Sequence, residues 1–190
     1  MTGFTVGFST SSPQASVAIF SAENVLLWTA AERAPNAASG ALARMLKAGL
    51  SETGLELTGA TCFVADLGPG SFTGVRVGIM FTKALAMGSP AQVGGADAFD
   101  LIAADKTTFV PSRRGELFVR EPGQEPYRTA DLPDGAIGYV YGQDGIFPHA
   151  ANFAPLLAGL TLMPPEQLVP AYLSEPSIST PKRPFGAARA

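Results

Sequence analysis

A glycine-rich turn is the feature of this sequence with the clearest potential for chemistry. Residues 66–78 read DLGPGSFTGVRVG, in which the glycines stand just before residues that can begin a helix. Glycine permits positive φ and close backbone approach, and a serine or threonine can cap the start of a helix. The free N–H groups of a helix start, together with the helix dipole, can bind an anion. The candidate anion site consists of Gly68, Pro69, Gly70, Ser71, Phe72 and Thr73.

The spacing of this turn leaves two interpretations open. It matches neither the GxxxxGK[ST] pattern of P-loops nor the GxGxxG pattern of dinucleotide-binding folds, and no lysine directly follows it. A corner that only joins a strand to a helix is at least as compatible with these glycines as a phosphate site.

The other reactive side chains are few and scattered. His149 is the only histidine, so the sequence predicts neither a two-histidine metal site nor a histidine-based triad. Asp66 precedes the turn and could face a cleft, cap a backbone group or lie in solvent. The charged residues of 113–116 suit either a solvated strand edge or a contact for phosphate or a partner. Cys62 lies in ATCFVA, which is typical of a buried small apolar residue. No catalytic residue and no metal ligand is therefore assigned.

Composition limits the classes of protein that remain. Of the 190 residues 46% are hydrophobic and only 15% are charged, which suggests a surface patch covered by a partner. The net charge of −3 argues against strong nucleic-acid binding. The apolar residues are dispersed, with no run of the ~20 residues that would cross a bilayer. The start of the chain lacks a secretory pattern, and one cysteine fits a reducing compartment, so we expect a cytoplasmic protein.

The first hundred residues predict an α/β layer that positions the turn. Alternating and β-rich segments indicate strands, and the apolar stripe of Leu42, Met45, Leu46 and Leu50 indicates a helix that ends near Gly54. The elements follow the order of three strands, a helix, a strand, a helix, a strand or turn, and a helix. The predicted strands are 4–9, 15–20, 24–32 and 61–67, and the predicted helices are 36–53, 71–87 and 96–104.

Beyond residue 105 the pattern weakens. Strands are predicted within 107–113, 115–121 and 136–142, and the Gly-, Pro- and Asp-rich stretch 121–148 is predicted to form loops. Residues 149–160 are a candidate helix. We expect an N-terminal lobe at 1–105, a smaller C-terminal lobe at 106–175 and a flexible tail at 176–190.

The helix that follows the glycine turn is unusually slim and poor in charge. Gly74 and Gly78 lie four residues apart, and Arg76 and Lys83 carry its only charges. A helix that is apolar nearly all round must be buried on more than one side. It is either enclosed within its own lobe or packed on its own sheet and also presented to another chain. The helix at 36–53 could form the second half of such a surface.

The segment GPGSFTGVRVGIMFTKALAMG (68–88) resembles the signature of the TsaB (YeaZ) family, which acts in bacterial synthesis of threonylcarbamoyladenosine in tRNA. The family pattern is close to GPGSFTGLRIGLATAKGLA, and its first seven residues are identical here. FSTSSPQASVAIF (8–20) resembles the family's opening strand, turn and strand. VPSRRGELFV (110–119) and LVPAYLSEP (168–176) are similar to its DARRGEVY and P-x-YLR elements.

The resemblance implies an actin/Hsp70-like fold, in which two lobes each contain a ribonuclease-H-like mixed sheet, with a reduced second lobe here. It also implies a scaffold that activates a catalytic TsaD-like paralogue, joined by a TsaE-like ATPase, and that forms a homodimer when alone. The resemblance implies that the protein holds no cofactor of its own. ATP or ADP is expected only at an interface shared with the partner. The partner-binding residues are then predicted to be Leu42, Met45, Leu46, Gly74, Val75, Arg76, Gly78, Ile79 and Lys83.

Three departures from the family pattern indicate a divergent member. Ser9 stands where the family usually has an aspartate, which in actin-like enzymes helps to hold metal and nucleotide. Residues 38–40 read ASG in place of HSE, and residues 111–113 read PSR in place of DAR. The alternatives to a scaffold are a nucleotide-dependent transferase or hydrolase that uses the same turn, and a homodimeric binding module outside the tRNA pathway. A protease is not expected.

Overall fold

The computed structural model describes residues 3–113 and 115–173. Its first sheet contains five strands in the order β3-β2-β1-β4-β5, with β1 antiparallel to β2 and parallel to β4. Parallel pairing of β4 with β5 brings the carboxyl ends of β1, β4 and β5 to one edge. The strands are β1 (Phe4–Ser9), β2 (Gln14–Phe20), β3 (Leu26–Arg33), β4 (Ala60–Asp66) and β5 (Gln92–Ala96).

Three α-helices connect or follow these strands, namely α1 (Ala38–Thr53), α2 (Phe72–Met87) and α3 (Ala98–Ala103). Helices α1 and α2 pack on one face of the first sheet, where Phe8, Phe63 and Leu42 belong to the same core. The opposite face is covered by α3 and residues 150–157, with Phe153 in its centre. Helix α1 ends where predicted, because Gly54 adopts the left-handed conformation with φ 69°. No helix in the described ranges is long and apolar enough to cross a membrane.

A second, smaller sheet follows α3. It has four short strands in the order β8-β7-β6-β9, and β6 is antiparallel to β7 and parallel to β9. Val110 and Tyr139 from this region pack against Phe99 of α3, which joins the second sheet to the first. The strands are β6 (Thr108–Pro111), β7 (Leu117–Arg120), β8 (Tyr127–Thr129) and β9 (Ile137–Gly138).

The two mixed sheets and the helices on them confirm the predicted α/β fold of the actin-like and ribonuclease-H-like type, with a reduced second sheet. Two local predictions are wrong. Residues 149–160 form two short 3-10 turns, at Ala150–Phe153 and Leu157–Gly159, and Pro155 lies between them. Strand β8 lies within the stretch predicted to be loops. The predicted tail at 176–190 lies outside the described residues.

Candidate interaction surface and glycine turn

The glycine turn is a tight corner that packs against the loop after β1. Gly68 has φ 87°, which favours glycine, and its peptide bond to Pro69 is cis. At Gly70 a Cβ atom would lie 2.2 Å from the backbone oxygen of Ser11. The Ser71 N–H donates to that same oxygen at 2.6 Å, and the Ser71 hydroxyl caps α2 by accepting from the Gly74 N–H at 3.2 Å. These glycines therefore serve close packing within the chain.

Asp66, at the end of β4, is buried and fully engaged. Its Oδ2 accepts hydrogen bonds from the hydroxyls of Ser9 at 2.6 Å and Ser11 at 2.5 Å, and its Oδ1 accepts one from the Gly68 N–H at 2.8 Å. Burial raises the pKa of this carboxyl, and the hydrogen bonds oppose that change. This carboxyl group, 1% exposed and with a donor on each oxygen, accepts its hydrogen bonds from within the chain. Within the described ranges, no three His, Cys, Asp or Glu side chains are grouped as a metal site.

The glycines of α2 face the protein's own interior. A Cβ atom on Gly74 would lie 2.0 Å from the backbone oxygen of Thr10, and one on Gly78 would lie 2.5 Å from the Thr10 hydroxyl oxygen. That hydroxyl in turn donates to the Gly74 carbonyl at 2.7 Å. Gly74 and Gly78 therefore admit the loop after β1.

Most of the residues predicted to bind a partner lie in the core. Gly74 is partly buried, and Lys83 donates to the backbone carbonyls of Glu166 and Leu168 at 3.2 and 3.1 Å. Arg76 alone among the predicted residues is exposed. Side chains in the core are not accessible to another protein, so a partner on α1 or α2 would contact the outward positions of these helices. The buried members are Leu42, Met45, Leu46, Val75, Gly78 and Ile79.

The outward face of α2 carries large apolar side chains that the sequence analysis did not select. Met80 is 62% exposed and Met87 is 78% exposed, and Ala84 lies exposed between them. Phe72, at the start of the helix, is 48% exposed and lies under the Arg76 guanidinium, whose carbon is 3.8 Å from the ring centroid. The helical period offers the missing signal, because Met80, Ala84 and Met87 recur at intervals of four and three residues, opposite the core-facing set.

The exposed face continues onto the segment that runs beside α2. Tyr172 accepts a hydrogen bond from Arg76 Nε at 3.2 Å, and its ring centroid lies 6.0 Å from that of Phe72. Val169, 62% exposed, extends the apolar surface. We name the exposed side chains of Phe72, Met80, Ala84, Met87, Val169 and Tyr172 the α2 face.

A cavity of about 350 Å³ separates the glycine turn from the second sheet. Aromatic rings of Phe72, Tyr141 and Tyr172 line it, and Arg113 stands among its lining residues. Among the described residues that line it there is no carboxylate. The cavity can enclose an apolar or planar group, but its lining shows no pairing of a nucleophile with a base.

The remaining candidates have structural partners. The Nδ1 of His149 accepts from the Ala151 N–H at 3.1 Å, so this histidine caps a 3-10 turn, and burial lowers its pKa. Glu116 forms a 3.4 Å ion pair with Arg128 at the edge of the second sheet. Cys62 is buried as predicted. Arg114 lies outside the described residues.

Part of the sequence matches a known protein family, and most of the fold is shared with solved structures. Residues 32–105, which span α1 to α3, match the family model of TsaD, tRNA N6-adenosine threonylcarbamoyltransferase. No curated protein sequence matches the chain.

Two solved structures share almost the whole fold. One is an uncharacterized protein with similarity to the peptidase YeaZ from Pseudomonas aeruginosa, which is 19% identical with a TM-score of 0.75. The other is YeaZ from Pseudomonas aeruginosa, which is 21% identical with a TM-score of 0.72. Each comparison covers 90% of this chain and 100% of the other. The resemblance to the TsaB (YeaZ) family is thus confirmed at the level of the fold: the chain has the fold of the YeaZ proteins.

Proposed function

We propose that this protein is a divergent TsaB-like subunit in the synthesis of threonylcarbamoyladenosine in tRNA, and that it activates a TsaD-like catalytic partner without performing the chemistry itself. The likeness to YeaZ over 90% of the chain and the TsaD family match at 32–105 support the pathway. A TsaE-like ATPase would join the pair, and the protein would form a homodimer when alone.

The single observation that carries the scaffold role is the α2 face. Two methionines, more than half exposed, lie along one helix together with Ala84 and with no acidic residue. Flexible methionine side chains adapt well to a partner surface, and a contiguous exposed apolar patch marks an interaction site. Ala43 and Ala48 of α1 are also exposed, as are Arg44 and Lys47 between them.

The turn supports a role in positioning. Asp66 is committed to two serines and a backbone amide, and Ser9, which stands in the place of the family's aspartate, is one of those serines. The polar groups at the carboxyl edge of the first sheet therefore bond to one another. We infer that they fix the corner from which α2 begins, and that catalysis belongs to the partner.

The test is co-purification with the TsaD-like protein of the same cell. Met80→Glu and Met87→Glu place charges in the proposed contact, and both should reduce the recovered complex at least about tenfold, because a desolvated carboxylate is costly in an interface. Leu132→Glu is the matched control, since Leu132 is 53% exposed and lies outside the α2 face. Undiminished pairing of both methionine variants would place the interface elsewhere, and failure of the unaltered protein to pair would favour a homodimeric module.

A nucleotide-dependent transferase or hydrolase is the second candidate, and the cavity beside the turn favours it. Its aromatic lining and Arg113 suit a planar anionic ligand. Purified protein assayed for ATP binding and turnover separates the two candidates. Robust ATP hydrolysis by this chain alone would refute the scaffold proposal.

A further inference from the structure

At the carboxyl edge of the first sheet, the buried carboxyl group of Asp66 has no cationic partner among the described residues. Asp66 is 1% exposed, and Ser9 and Ser11 are fully buried. In the part of the chain that the structure describes, none of the salt bridges includes Asp66. A carboxylate in this setting depends on its hydrogen-bond donors alone, and each proton gained or lost must be accommodated by them.

One of those donors has a second acceptor within reach. The Ser9 Oγ lies 2.6 Å from Asp66 Oδ2 and 3.3 Å from the backbone oxygen of Pro148. A hydroxyl carries a single proton, so it donates to one of these acceptors at a time. When Asp66 is ionised, the shorter contact is the charge-assisted one, and Ser9 donates to the carboxylate. When Asp66 is protonated, its O–H can donate to Ser9 Oγ, and the Ser9 proton is then free for Pro148.

Pro148 occupies a place where this exchange has structural consequences. Phe147 packs in the cluster that joins α3 to the second sheet, whereas Phe153 lies in the core under the first sheet. The Ala150 N–H donates to the Ser16 hydroxyl on β2 at 2.9 Å, and the His149 N–H donates to the Leu101 carbonyl on α3 at 3.0 Å. The segment thus bridges the two sheets through the packing of Phe147 and Phe153 and through these hydrogen bonds.

We propose that Asp66, Ser9 and the Pro148 carbonyl form a proton-controlled hydrogen-bond relay that tightens the bridging segment on the first sheet when the carboxyl is protonated. The titratable groups on the surrounding elements include Tyr139, His149 and, at the start of α3, Asp97 and Asp100, which both pair with Arg120. Tyr139 donates its O–H to the Ser11 backbone oxygen at 3.1 Å, and burial keeps its pKa well above the usual range, so it stays neutral. His149 follows Pro148, and its Nδ1 is held by the Ala151 N–H. This relay does not depend on the proposed partner.

Amide hydrogen exchange on the intact protein tests the relay. The exchange rates of the His149 and Ala150 amides, corrected for intrinsic rates, are compared from about pH 8 to about pH 4. In the unaltered protein we expect protection to rise about fivefold on acidification, the effect of one added net hydrogen bond. Ser9→Ala removes the relay, so its protection should not rise. Ser12→Ala is the matched control and should behave as the unaltered protein, because the Ser12 hydroxyl bonds only to Gln14.

Asp66→Asn gives the sharper outcome. The amide group can donate to Ser9 as a protonated carboxyl would, so protection should be high at every pH. If this variant does not fold, the carboxyl carbon of Asp66 is titrated by NMR in the unaltered protein, and its midpoint should coincide with the midpoint of the rise in protection. Equal pH dependence in the unaltered protein and Ser9→Ala, or midpoints that differ, would overturn the proposal.

Discussion

Substitution of Gly74 by alanine tests whether the glycines of α2 serve packing within the chain. Gly74 is the third residue of α2, and its Cβ would lie 2.0 Å from the backbone oxygen of Thr10, whereas ordinary contact begins at 3.4 Å. The neighbouring atom belongs to the backbone, so it cannot rotate away. Either the loop after β1 or the start of α2 must move by about 1 Å or more.

The expected cost follows from two opposing terms. Overpacking of this kind costs about 1–3 kcal/mol, and the helix gains about 0.5–1 kcal/mol when alanine replaces glycine. The two ranges leave a net loss of unfolding free energy of about 0–2.5 kcal/mol, and because the contact is with a backbone atom at 2.0 Å, we expect about 1–2 kcal/mol. For a chain of this size the melting temperature falls by about 2–4 °C per kcal/mol, which gives a decrease of about 2–8 °C.

Gly40→Ala is the matched control. Gly40 is the third residue of α1, and a Cβ there would meet only the tip of the Arg44 side chain, at 3.4 Å. This change should leave the melting temperature unaltered or raise it, because it adds helix propensity without a clash. Urea unfolding measures the unfolding free energy of both variants, and we expect the same dependence on urea concentration for each. Equal stability of Gly74→Ala and Gly40→Ala would refute the view that the loop after β1 is what requires a glycine at position 74.

Two further predictions concern single buried atoms. Among the described residues the buried Thr82 hydroxyl has no hydrogen-bond partner. Thr82→Val should therefore raise the unfolding free energy, measured by urea unfolding, by about 1 kcal/mol. A lower unfolding free energy would show that the hydroxyl has a partner. Burial raises the pKa of the Cys62 thiol to about 11. At pH 8 an aromatic disulfide reagent should therefore react with Cys62 more than about a hundredfold more slowly in the folded than in the unfolded protein. Equal reaction rates would show that the thiol is accessible.

The first hundred residues could be read from the sequence because local signals mark the ends of their elements. Gly54 ends α1, as its residue type predicts, and Ser71 caps α2, whereas the sequence left the cap open between Ser71 and Thr73. The helix predicted at 149–160 is wrong, because an apolar stretch of that length is typical of a helix but forms two 3-10 turns here. Their side chains instead contact the first sheet individually, as Phe153 does, and Pro155 separates the two 3-10 turns.

The residues predicted to bind a partner lie mostly on the inward sides of α1 and α2. Small residues at a spacing of four predict close approach of another backbone, and this is what Gly74 and Gly78 permit. The pattern cannot say whether that backbone belongs to another protein or to the same chain. Here the neighbouring backbone belongs to the same chain, in the loop after β1. The Thr10 hydroxyl donates a hydrogen bond to the Gly74 carbonyl, although the two residues are 64 apart in the sequence.

The hydrogen bonds that Asp66 accepts from Ser9 and Ser11 could not be predicted from the sequence. The apolar run before Asp66 indicates a buried strand but not what the carboxylate bonds to, because its two hydroxyl donors lie 57 and 55 residues earlier. They meet it only because β1 and β4 are parallel neighbours whose carboxyl ends coincide. With Ser9 in place of an aspartate, the edge keeps two carboxylates: Asp66 is enclosed by serines, and Asp97 caps α3 and pairs with Arg120. We propose that the Asp66 group holds the turn and responds to a proton, and that contact with other molecules falls to the side chains on the outside of α2.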